Sequence, residues 1–318
     1  MVRLARYLPF LLVFFLVAHP ALPEPRGILS LPEATPAILD HIYSGRRDLA
    51  LEEIRRLQQQ APESPLGYLL EAETEWWGIW CGSAEYKYGM TMARHHNRGP
   101  ADQRYLDLTV KAYNLAEAQL RQRESAEIRL YAAMADALAA RLYGLRGENR
   151  ATARSGVRAR ENFLAASALD PSLADADTGL GLYNYYVDTL STLARVLRFF
   201  MGIPGGSKED GIRQLQRGMR EGQLSAPLAR FYLALNLENY DQRYEEGLRI
   251  IGPLVEKYPD NPIFQLTRGD LYAKLGRKQQ AEATYRAAAS GAAKVPEADC
   301  RAKLAYLAQE SLEALHPH

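Results

Sequence analysis

Two adjacent stretches share a period, and that period constrains the fold more than any other feature. Residues 261–290 read "NPIFQLTRGDLYAKLGRKQQAEATYRAAAS", with Gly269 and Tyr272 in the first half, Gly276 in the turn, and Ala281, Tyr285 and Ala288 in the second. One period of 34 residues earlier, "LARFYLALNLENYDQRYEEGLRIIGPLVEKYPDN" places Gly247 and Pro259 at the corresponding points. Small residues allow two antiparallel helices to approach closely, and an aromatic side chain fills the space beside them. The proline stops the second helix, because it has no N–H and restricts the residue before it. Self-similarity at such a period marks a stacked array rather than one pocket-bearing domain.

The same grammar recurs elsewhere. "SGRRDLALEEIRRLQQQAPESP" carries Gly45, Ala50, Ile54 and Pro62, and "ARENFLAASALDPSLADADTGLG" carries Ala159, Phe163, Ala166 and Pro171 before Leu180-Gly181. Alanine, leucine, arginine and glutamate, all strong helix formers, dominate the chain, and alternating Val/Ile/Thr runs are nearly absent. These residues and their spacing resemble the tetratricopeptide repeat (TPR) family over most of 31–292. The resemblance implies an all-α, right-handed superhelical solenoid. Units beginning near 31, 65, 127, 174, 228 and 262 give outer spacings of 34 residues and longer inner ones. The middle repeats are therefore expected to be elongated, with "RLYGLRGENRATARS" as an extended hairpin tip and "RVLRFFMGIPGGSKEDG" breaking a long first helix. Residues 179–250 are also similar to the eukaryotic TPR family linked to inclusion-body clearance. A helix over 296–313, within a 293–318 cap and tail, is expected to cover the end of the stack, as solenoids require.

The N-terminal stretch "MVRLARYLPFLLVFFLVAHPALPEP" has Arg3 and Arg6 followed by an apolar run from Leu8 to Ala18. That run is short for a membrane span and has the flanks of a secretory signal over 1–21, followed by a linker over 22–30. The expectation is an exported, periplasmic or otherwise extracytoplasmic protein with no transmembrane segment in the mature chain. An uncleaved inner-membrane anchor is the alternative. The formal charge is +1, which gives no bias toward nucleic acid. Cys81 and Cys300 are the only cysteines, and in an extended array they should lie far apart.

All three tryptophans fall within "EAETEWWGIWCGSAEYKYGMTMARHH". The TPR resemblance implies that positions 2, 5, 9, 12 and 13 of each first helix face a concave groove. It thereby assigns a partner-binding lining of Tyr43, Trp76, Trp77, Tyr131, Tyr185, Tyr186, Tyr232, Asn236, Asn239 and Tyr240. Aromatic side chains combine large contact area with a polar tip, which suits a binding surface. Core packing is the competing reading, since adjacent helical residues point about 100° apart.

Other motifs point to no chemistry. His95 and His96 are adjacent and diverge on a helix, whereas zinc ligands on helices sit three or four apart. Cys81 and Glu85 have that spacing without a completing set, so no metal or cofactor is expected. Gly78, Gly82 and Gly89 suggest that the first helix here bends or breaks. "GIPGGSKEDG" lacks the Gly-Lys-Ser/Thr order of a phosphate loop and reads as a turn capped by Ser207 with Asp210 in the first helical turn. Arg141, Arg146, Arg150, Arg154, Arg158 and Arg160 form a basic stripe, either a solvated face or a dock for an anionic partner. Tyr232 stands where a TPR carboxylate clamp has lysine. The expected function is a non-enzymatic scaffold binding a peptide or protein partner; a small-molecule or glycan-binding envelope protein that stacks sugars on the same rings is the alternative.

Overall fold

The computed structural model describes residues 27–83, 98–189, 198 and 202–316. Among these the chain forms thirteen α-helices and no strand. They are α1 (Thr35–Tyr43), α2 (Arg47–Gln60), α3 (Pro65–Ser83), α4 (Pro100–Leu120), α5 (Ala126–Leu145), α6 (Asn149–Leu169) and α7 (Ala174–Asp188). There follow α8 (Lys208–Glu221), α9 (Ala226–Asn239), α10 (Tyr244–Lys257), α11 (Pro262–Lys274), α12 (Lys278–Ala292) and α13 (Ala298–Leu315).

Local chemistry sets these boundaries. Proline opens α1, α4, α9 and α11 within the first two positions, where its missing N–H costs nothing. Asn261 caps α11 by accepting from Ile263 N at 2.9 Å and Phe264 N at 3.2 Å. Ser207 caps α8, its Oγ accepting from Asp210 N at 3.2 Å, as the sequence implies. Pro62, Pro171 and Pro259 stand just past the ends of α2, α6 and α10.

Each helix packs on the next, and each odd-numbered helix also packs on the following odd-numbered one, from α1 through to α13. The odd helices form one layer, and the even helices fold back on it as second arms. Glycines mark the crossings. A Cβ on Gly269 of α11 would lie 2.5 Å from the Tyr285 ring of α12, and one on Gly179 of α7 would lie 2.1 Å from the Phe163 ring of α6. The expected elongation appears in α4, α5 and α6, of 21, 20 and 21 residues, against 13 to 15 in α7 to α12.

One local expectation is corrected. The 141–155 stretch is no extended tip: α5 and α6 run into it from both sides, and Gly147 at φ 72° permits a tight turn between them. α3 continues through Gly78 and Gly82 to Ser83; Gly89 lies outside the described residues.

The larger correction concerns the two ends. α13 packs on α11 and α12 as a cap would, but it also packs on α3, and Cys300 is disulfide-bonded to Cys81 with a Cα–Cα distance of 5.3 Å. The array bends tightly enough to return to its own start. Other closing contacts join α1 to the α10–α11 turn. Asn261 Nδ2 donates to Tyr43 O at 2.8 Å, and Tyr258 OH donates to Asp40 Oδ1 at 2.8 Å. Lys257 Nζ lies 2.7 Å from the same Asp40 oxygen.

The described part of the expected linker is also held. Gly27 N donates to Asp170 Oδ2 at 2.6 Å, and Gln223 Nε2 donates to Gly27 O at 2.8 Å. Ser30 N donates to Glu127 Oε2 at 2.9 Å, and Leu29 is buried. Residues 27–30 thus strap the α5–α6 hairpin to the turn between α8 and α9. The signal segment lies outside the described residues. No described helix is long and apolar enough to cross a membrane.

Candidate functional site

Most of the ten residues assigned to a groove fall into two aromatic groups on the odd helices and the turns that follow them. Six of the ten are buried: Tyr43, Trp76, Tyr131, Tyr185, Tyr232 and Asn236. Trp77, Tyr186, Asn239 and Tyr240 are partly buried. Trp76 has no exposed surface at all. An open lining is therefore corrected for those six, because ring closure brings the inner faces into contact and their side chains fill the space between them.

The rings form two groups. In the first, Trp77 packs edge-on to Tyr43 at 5.9 Å and Trp80 at 6.0 Å, and lies 5.4 Å from Phe231. Phe231 extends this group to Tyr232 and Phe264, each at 5.4 Å. In the second, Tyr186 packs edge-on to Tyr185 at 5.8 Å and to Tyr240 at 6.4 Å. Its hydroxyl donates to Asn236 Oδ1 at 2.9 Å, and Tyr185 OH donates to Asp241 Oδ2 at 2.9 Å. Tyr232 and Asn236 sit one turn apart on α9 and link the groups. Tyr131 stands apart, its hydroxyl on Glu127 Oε1 at 2.7 Å. Asn239 turns back on its own helix, Nδ2 donating to Leu235 O at 3.0 Å.

A buried ion pair anchors the first group. Arg141 of α5 reaches Glu73 of α3 at 2.6 Å and stacks over the Trp76 ring at 4.3 Å. Trp77 Nε1 donates to the other Glu73 oxygen at 3.1 Å. Burial alone would push the Arg141 guanidinium down, but the Glu73 charge beside it wins and raises it well above its ordinary value. Burial raises the hydroxyls of Tyr43, Tyr105, Tyr186 and Tyr232, so all four are neutral at ordinary pH. The neighbouring acids of α3 are also paired: Glu71 with Arg104 at 2.5 Å, and Glu75 with Arg47 at 2.8 Å. Arg47 in turn reaches Glu297, before α13, at 3.2 Å. Beside that pair lies a depression of about 70 Å³, lined by Ile42, Trp77, Asn261, Glu297 and Cys300. The arrangement fixes charges in pairs and rings against rings, which is the chemistry of a rigid interior.

Glu73, Arg141, Tyr105, Phe231 and Phe264 complete this cluster and are absent from the sequence-based set. Glu73 occupies the ninth position of the unit starting at Pro65, so the repeat phase could have found it. Tyr105 lies on α4, a second helix, and carries no such signal. Among the described residues no group of three or more His, Cys, Asp or Glu side chains could hold a metal ion. Glu85, His95 and His96 lie outside them, and Cys81 is in the disulfide.

Half of the basic stripe is neutralised, Arg141 by Glu73 as above. Arg146 binds Asp102 through two hydrogen bonds, at 2.6 and 2.8 Å, and Arg158 pairs with Asp136 at 2.5 Å. Arg160 stacks on Tyr183 at 5.5 Å, while Arg150 and Arg154 are exposed. No protein-family model matches the chain, and no curated protein matches it either.

Proposed function

We propose that this chain is a non-catalytic scaffold of the cell envelope that binds a peptide or protein partner on a pre-formed helical surface. In this reading it is a TPR-type right-handed superhelix with elongated middle repeats, wound tightly enough to seal its concave side. The observation that carries the reading is the shared register of its hairpins. α3, α7 and α11 begin at 65, 174 and 262, the positions the repeat implies, and Gly181 and Gly269, each eighth in its unit, pack closely on the paired helix, where a Cβ would lie 2.9 Å from Leu215 of α8 and 2.5 Å from the Tyr285 ring of α12. Binding is what the TPR resemblance implies, and a rigid surface loses little entropy when a partner docks. The disulfide supports an oxidising compartment, in keeping with the secretory character of residues 1–21.

With the interior rings sealed, recognition falls to outward surfaces rather than to Trp76. Sugar stacking on the same tryptophans would need faces that Trp76 and Trp80 do not present. The test uses the oxidised chain, immobilised, against envelope extract, followed by titration of each captured protein in purified form. A saturable one-to-one complex that survives Trp76→Phe is the expected result. Absence of any saturable complex, or turnover of ester, peptide or glycoside substrates by the purified chain, would overturn the proposal.

A further inference from the structure

α10 and α11 leave a groove of about 420 Å³ between them, lined by Leu248, Arg249, Pro253 and Glu256 of α10 and by Arg268 and Tyr272 of α11. That is the size of an ordinary ligand site. Its charge is unbalanced: two guanidiniums face one carboxylate. Among the described residues neither Arg249 nor Arg268 forms an ion pair, in contrast to the paired arginines of α5 and α6. Arg268 gives one Nη2 hydrogen bond to Gln265 at 3.1 Å, and its Nε is buried without a partner. Behind them Arg230 of α9 spends its Nη1 on Ile250 O at 3.2 Å and likewise has no acid beside it.

The backbone of α10 adds an acceptor. Pro253 lies inside the helix and has no N–H to give to the Arg249 carbonyl four residues earlier. The turn that lines the groove thus offers a carbonyl lacking its usual helical donor, next to two guanidinium donors. Leu248 and the partly buried Tyr272 ring supply the apolar contact.

From this we infer that the α10–α11 groove is a docking site for an extended acidic peptide segment of a partner protein. The segment's carboxylates pair with Arg249 and Arg268, one of its backbone N–H groups donates to the Arg249 carbonyl, and an apolar side chain lies against Leu248 and Tyr272. Guanidinium groups match carboxylates in fork geometry, and charge complementarity sets both partner choice and association rate. The assignment rests on the scaffold reading and names the surface and partner chemistry it uses.

The experiment measures anisotropy of a rhodamine-labelled peptide of alternating glutamate and leucine, eight residues long, with its glutamine counterpart as control, on the oxidised full chain. The acidic peptide is expected to bind saturably and at least tenfold more tightly than the glutamine peptide. Arg249→Gln with Arg268→Gln should weaken it at least tenfold with an unchanged melting temperature. Arg150→Gln with Arg154→Gln, on the exposed face of α6, should leave it unchanged. Equal loss in both double variants, no preference for the acidic peptide, or tighter binding of a sulfated polysaccharide would overturn the assignment. A partner from envelope extract that the groove variant still captures at full affinity would overturn the groove and leave the scaffold standing.

Discussion

Asp175, in the first turn of α7, shows how much one buried carboxylate can organise. Its Oδ1 accepts from Leu224 N at 2.9 Å, Ser225 N at 2.8 Å and Ser225 Oγ at 2.7 Å, and its Oδ2 accepts from Gln223 N at 2.9 Å. One side chain thus satisfies three backbone donors in the turn between α8 and α9, fixing one hairpin against the next. Asp175→Ala leaves those donors without an acceptor in a buried position. The expected cost is about 3 kcal/mol or more, read from the urea midpoint, because each orphaned donor retains its desolvation penalty. Asp175→Asn, which keeps an acceptor oxygen, should lose less. The sequence shows Asp175 only as an acid in a helical first turn, favourable to the helix dipole. Its reach to a turn some fifty residues away depends on tertiary placement, to which local pattern is blind.

For the helices, close crossings separate glycines that matter from those that do not. On Gly269 a methyl group would meet the Tyr285 ring at 2.5 Å, and that ring is held by its hydroxyl on Asp270 at 2.6 Å. Gly269→Ala should therefore destabilise the chain by about 1–3 kcal/mol through overpacking. Gly156, in the middle of α6, has nothing within 4 Å of the corresponding position. There Gly156→Ala should stabilise by up to about 1 kcal/mol, because it removes freedom from the unfolded chain and favours the helix. Thermal denaturation of the two variants side by side checks the opposite signs. Helix ends were legible where prolines at 62, 171 and 259 stand just past them, since proline withholds an N–H and restricts its predecessor, although Pro253 is accommodated within α10. The α5–α6 turn was not, because a polar, glycine-containing stretch reads the same whether its tip is long or, as at Gly147, pinched by one left-handed residue.

At the level of the whole molecule, closure decides what the inner faces become. A helix stripe that lines a groove and one that fills a core have the same periodicity, so Trp76 and Tyr232 carried no signal to distinguish them. The distinction lies in curvature, the sum of small rotations at each helix crossing, and no single stretch of sequence encodes it. The disulfide fastens the result. Replacing Cys81 and Cys300 together with serine should cost about 3–5 kcal/mol, because the bond restricts a long loop of the unfolded chain. Hydrogen exchange should show α13 losing protection first, since without the bond it is held to α3 by packing alone.

The two sulfurs stand 219 residues apart, one on α3 and the other on α13. A polypeptide made from its N-terminal side must carry the Cys81 thiol unclasped while the next 219 residues are added. α13 is the latch, so oxidation of this pair reports that every hairpin between the two sulfurs has already been laid down.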